Sequence, residues 1–124
     1  LISATDYINA QQARWHIRQQ ILEALEEIDV LALPMMPVPA PRIDEATVQL
    51  GGSVVDIRNA LTRYTGLFNL SGLPAISVPC GFTSQGLPVG MQLVARPLAE
   101  ATLLRAAHAY EQVAGWWKRR PPLD

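Results

Sequence analysis

Only a few side chains in this sequence could do chemistry, and their settings limit what that chemistry could be. The single lysine, Lys118, stands beside Arg119 and Arg120. An amine solvated in so polar a stretch keeps its proton and cannot take one from a hydroxyl. The single cysteine, Cys80, closes the apolar run that begins at Ala75, and burial of that kind makes a thiol inert. His16 and His108 fall on separate helical segments without the acidic or thiol companions that a metal needs, so no metal site is expected. The sequence carries no GxGxxG, no Walker loop and no paired-carboxylate motif, and no cofactor is expected.

Arg14 is a different case. It lies in line with Tyr7, Ala10, Ile17, Ile21, Leu25 and Ile28, which recur at spacings of three and four. A guanidinium on an apolar stripe needs a partner, because breaking a buried pair costs roughly 3–5 kcal/mol. It can snorkel to water, pair with a core carboxylate, or hold a ligand.

The elements that must position these groups alternate in type. A helix is expected from about Ser3 to Ile28, with Ser3 or Thr5 and Asp6 at its start. Asp29 to Leu33 reads as a buried strand stopped by Pro34. Four prolines between Pro34 and Pro41 then keep the chain extended and out of any central strand. Met35 and Met36 interrupt that run and can fill a gap in the core. Arg42 to Asp56 reads as a surface loop with a short edge strand at Thr47 to Leu50, and Gly51-Gly52-Ser53 as a turn.

A second helix is expected from Ile57 to Leu67, capped by Asp56, with Gly72 and Pro74 turning the chain into the next strand. Ala75 to Cys80 and Val89 to Ala95 are apolar runs joined by Thr83-Ser84-Gln85-Gly86. They show little alternation, so both faces of these strands are expected to be covered by helices. A last helix, Glu100 to Val113, should turn Leu103, Leu104, Ala107, Tyr110 and Val113 inward and stop at Gly115. The order argues for an α/β fold, a mixed sheet layered with helices.

The chain has 124 residues, 49% of them hydrophobic, and a net charge of -1. That suits one unit, residues 1–124, and gives no electrostatic case for nucleic acid or an anionic membrane. One cysteine allows no disulfide within the chain. No apolar run approaches the roughly 20 residues that span a bilayer, and a cytoplasmic location is expected. The sequence opens Leu1-Ile2-Ser3 without methionine, as a piece of a longer polypeptide would.

NLSGLPAISVPCGF, followed by GLPVGMQLVARPLAEATLLRAAHAYEQ, resembles the C-terminal part of the amidase signature family. The likeness extends to YINAQQAR, DVLALPMMPVPAP and GWWKRRPPL, nearly the whole chain. It implies a C-terminal fragment of a larger fold whose members hydrolyse carboxamides or pass on the released ammonia. It also implies a catalytic serine, a second serine and a lysine base. Lys118 cannot fill that last role, so no catalytic residue is assigned here and the chain alone is expected to be inactive. The fragment would supply one wall of the pocket.

In the glutaminase-type members, the A-type subunits of glutamyl-tRNA amidotransferase, an arginine matched by Arg14 holds the substrate carboxylate. An aspartate holding its amino group falls at Thr62. A hydroxyl cannot replace a carboxylate opposite an ammonium, which weighs against glutamine as substrate. The family's segment at Met35 and Met36, usually Pro-Thr, passes beside the pocket. Substrate-binding residues are therefore expected at Arg14, Thr62, Met35 and Met36. The expected partners are a small amide, the N-terminal part of the same polypeptide and a second copy of the chain. The readings are a hydrolase of carboxamide C–N bonds, the amidotransferase subunit, or a non-catalytic binding module on the same fold.

Overall fold

The computed structural model describes residues 1–120. Pro121 to Leu123, the end of the matched GWWKRRPPL tail, lie outside the described residues. Helix α1 (Ala4–Ala24) starts where Ser3 accepts a hydrogen bond from the Asp6 amide at 3.1 Å. This satisfies one of the amides that every helix start leaves without a partner. The helix ends at Leu25, short of the expected Ile28. There Arg96 gathers the departing carbonyls, its Nε donating to Leu25 at 2.8 Å and its Nη2 to Glu26 at 2.9 Å and Ile28 at 3.3 Å.

Strand β1 (Val30–Pro34) follows, then a hairpin of β2 (Thr47–Leu50) and β3 (Ser53–Asp56). The expected single edge strand is thus a pair. Gly51 and Gly52, at φ of 57° and 81°, supply the two left-handed residues that a tight hairpin turn requires. Asp56 caps α2 (Ile57–Thr62) by accepting from the amides of Arg58 and Asn59. The helix expected from Ile57 to Leu67 is broken at Arg63-Tyr64 and resumes as α3 (Thr65–Ser71). At the break, the Thr62 hydroxyl donates back to the Arg58 carbonyl at 2.9 Å, a bond that bends helices. Gly72, at φ 66°, closes α3.

Strands β4 (Ala75–Phe82) and β5 (Pro88–Ala95) form the anticipated hairpin, and α4 (Glu100–Ala114) ends at Gly115 before a 3₁₀ turn at Trp116–Lys118. The main sheet has the order β1-β5-β4 with both pairings antiparallel, so β5 is central. A bulge sets Cys80 between Pro79 and Gly81, opposite Gly90 and Val89.

Side chains alternate across a strand, so β5 feeds two cores. Val94 packs with Ile21, Leu25, Phe68 and Leu73 under α1 and α3. Leu93 and Ala95 pack with Val78, Leu103 and Ala107 under α4. Helices thus cover both faces at the Gln92–Ala95 end, whereas Pro88 and Val89 are exposed. The expected inward stripe of α4 is narrower than its sequence suggested. Leu103 and Ala107 are buried and Tyr110 is half-buried, but Leu104 and Val113 are 57% and 90% exposed. The α1 stripe is likewise inward only in its second half. Tyr7 and Arg14 are exposed, Ile17 is half-buried, and Ile21 and Leu25 are buried.

The Arg96 clamp joins the end of β5 to the end of α1. Arg96→Ala is expected to lower the unfolding free energy by roughly 2–3 kcal/mol, since loss of a charged donor leaves the carbonyl of fully buried Leu25 unpaired. Urea unfolding measures it, with Arg96→Lys recovering part of the loss. A change within about 0.5 kcal/mol, typical of an unremarkable surface position, would show that water replaces the clamp without cost.

Candidate functional site

Arg14 borders a cavity of about 340 Å³ between α1 and α3. Ala10, Gln11, Ala13 and Ile17 form one wall, and Leu67, Leu70 and Ser71 the other. The walls follow from helix geometry, since residues 10, 13, 14 and 17 fall on one face at spacings of three and four. The Arg14 guanidinium makes one bond, from Nη1 to the Gln11 side-chain oxygen at 3.4 Å. Among the described residues no carboxylate pairs with it, and the one ion pair among them joins the exposed Arg42 to Asp44 at 3.9 Å. Arg14 therefore keeps most of its five N–H donors for another acceptor.

Met36 lines a second cavity of about 180 Å³, with Pro37, Val38, Pro39, Thr83 and the Pro88–Gly90 start of β5. Met35 packs on Gly90, where an added Cβ would lie 3.2 Å from the Met35 Cβ and 3.1 Å from the Ser77 hydroxyl. Glycine at position 90 thus allows the proline-rich segment to approach the sheet closely. Thr62 is not among the residues around the Arg14 cavity. Its hydroxyl is turned onto its own helix. The four expected site residues therefore occupy three places: Arg14 between α1 and α3, the two methionines beside the start of β5, and Thr62 on the exposed side of α2.

The other candidates occupy ordinary positions. Cys80 is half-buried, its thiol directed to the Val89 carbonyl at 3.5 Å. His16 is exposed and meets the Trp15 ring edge-on at 5.0 Å. Lys118 holds its Nζ 5.5 Å above the Trp117 ring. Among the described residues, no three His, Cys, Asp or Glu side chains group as a metal site would require. No described helix is long and apolar enough to cross a membrane.

Two arginines that the sequence did not single out hold the frame of the site. Arg96 fixes the end of α1. Arg18, half-buried one turn after Arg14, donates from Nη1 to the Ser71 carbonyl at the end of α3. The signal for Arg18 was its spacing, since positions 14 and 18 share a helix face. Arg96 gave no such signal.

Residues 1–104 match the amidase family, and the chain belongs to that family. It is 44% identical over 117 residues to the A-type subunit of glutamyl-tRNA(Gln) amidotransferase from Synechococcus sp. (strain JA-2-3B'a(2-13)), covering 94% of this chain and 22% of that protein. It is 42% identical over 119 residues to a fatty acid amide hydrolase of Medicago truncatula, covering 96% of this chain and 20% of the relative. Its fold superposes on the crystal structure of an amidase with a TM-score of 0.86 at 30% identity, over 92% of this chain and 26% of that one. The chain thus spans about a quarter or less of the length of the relatives it matches.

Proposed function

We propose that the polypeptide carrying this chain hydrolyses carboxamide C–N bonds, and that these residues supply part of its substrate pocket while the serines and the lysine base lie elsewhere. The observation that carries the reading is Arg14, a guanidinium without a carboxylate partner among the described residues, on a cavity large enough for a small acid or amide end. Arg14 would hold an acidic or polar carbonyl end of the substrate, and Met35 and Met36 would form an apolar wall. In the sequence Thr62 falls where the resemblance implies an aspartate for an amino group, and its hydroxyl, bonded to the Arg58 carbonyl outside the Arg14 cavity, offers such a group no charge. Free glutamine is then a poor substrate.

Arg14→Ala in the complete enzyme is expected to lower kcat/KM on an amide with a carboxylate end by the worth of one charge-assisted hydrogen bond, roughly 1.5–3 kcal/mol. The same amide without the carboxylate should change little. Equal losses on both would remove Arg14 from the pocket.

A second reading, the amidotransferase, is favoured by the 44% identity to a protein of that name. It requires ammonia release from glutamine. A glutaminase assay with Thr62→Asp beside the unaltered enzyme separates the two, since strong glutaminase activity in the unaltered enzyme would support the amidotransferase.

A further inference from the structure

Ser71, on the far wall of the Arg14 cavity, brings a helix-end carbonyl to that side of the site. Ser71, at the end of α3, is 2% exposed and lines the cavity. Its hydroxyl is turned away and donates to the Phe68 carbonyl at 3.2 Å. Its own carbonyl, one of those a helix end leaves unpaired, accepts from Arg18 Nη1. A Cβ at Gly72 would lie in ordinary contact with the same nitrogen, at 3.6 Å.

We propose that Arg18 is a positioning residue for the carboxylate end of the substrate. By occupying the Ser71 carbonyl it removes a lone pair that would repel an anion in the cavity. It also denies Arg14 an internal acceptor, leaving that guanidinium available to the ligand. The inference rests on the reading of Arg14 given above. It adds a division of labour: two arginines one turn apart, one for the protein's own carbonyl and one for the substrate's carboxylate.

The test uses the complete enzyme and two amides of equal length, succinamate and butanamide, with Arg18→Ala and Arg18→Lys each made in the unaltered and Arg14→Ala backgrounds. Arg18→Ala is expected to raise KM for succinamate about tenfold while kcat, and both parameters for butanamide, move less than about twofold. Arg18→Lys, which can still donate to the Ser71 carbonyl, should recover most of the loss. In the Arg14→Ala background Arg18→Ala should cause no further discrimination between the amides. Equal losses on both amides, or no change with succinamate, would overturn the proposal. If Arg14→Ala alone leaves discrimination untouched, the cavity reading fails and the Arg18 role fails with it. If Arg14→Ala abolishes discrimination and Arg18→Ala does not touch it, only the Arg18 role fails. Should Arg18→Ala not accumulate, Arg18→Met, which keeps the stem but has no donor for the Ser71 carbonyl, is read against the same outcomes with Arg18→Lys as its rescue.

Discussion

Purified apart from any full-length amidase, these 124 residues are expected to hydrolyse no carboxamide above the rate in buffer. The only side-chain amine is that of Lys118, in an exposed turn against Trp117, where no described residue brings it to a serine hydroxyl. The Cys80 thiol is turned to a backbone carbonyl. In a serine protease, loss of the nucleophile alone lowers kcat on the order of a millionfold. Binding by one pocket wall supplies orientation without a group to attack the carbonyl. The measurement is amide turnover by the chain produced in a host lacking amidases. Activity that follows the 124-residue species through size-exclusion chromatography would refute the expectation.

Phe68→Ala should cause the largest loss of stability, roughly 3–5 kcal/mol, as expected for emptying a fully packed aromatic site. Phe68 is 2% exposed and sits among Ile21, Leu25, Leu73 and Val94, where α1, α3 and the sheet meet. Against a typical total of about 5–15 kcal/mol, that loss is a large share of the whole. The backbone at this residue is also in demand, its carbonyl accepting from the amides of Gly72 and Leu73 as α3 ends. Urea unfolding measures the loss, and Phe68→Leu should recover most of it. A loss below about 1 kcal/mol would mean that α3 is not anchored through this ring.

Much of the fold was legible in the sequence where local chemistry dictates it. Ser3 and Asp56 cap helices, Gly72 and Gly115 end them, and Thr83 to Gly86 turns β4 into β5. What could not be read depended on distant contacts. The end of α1 is set by Arg96, a residue 71 positions from the carbonyl of Leu25. The second strand of the β2–β3 hairpin was hidden because Ser53 to Asp56 is too short and mixed to show a period.

At the candidate site, Arg14 was visible because a charge broke an apolar stripe. Its exposure was not visible, since a stripe does not reveal how much of its length has something packed against it. Periodicity misread Leu104 and Val113 for the same reason, because both lie at the margin of the α4 stripe.

The Arg96 clamp also bears on how this sequence can change over time. A guanidinium that binds the carbonyls of Leu25, Glu26 and Ile28 takes no account of the side chains at those positions. Glu26 and Ile28 are therefore free to drift to other residues while the joint between helix and strand stays intact. Leu25, fully enclosed in the core, has no such freedom. The joint thus depends on one arginine side chain and, at Glu26 and Ile28, on backbone alone.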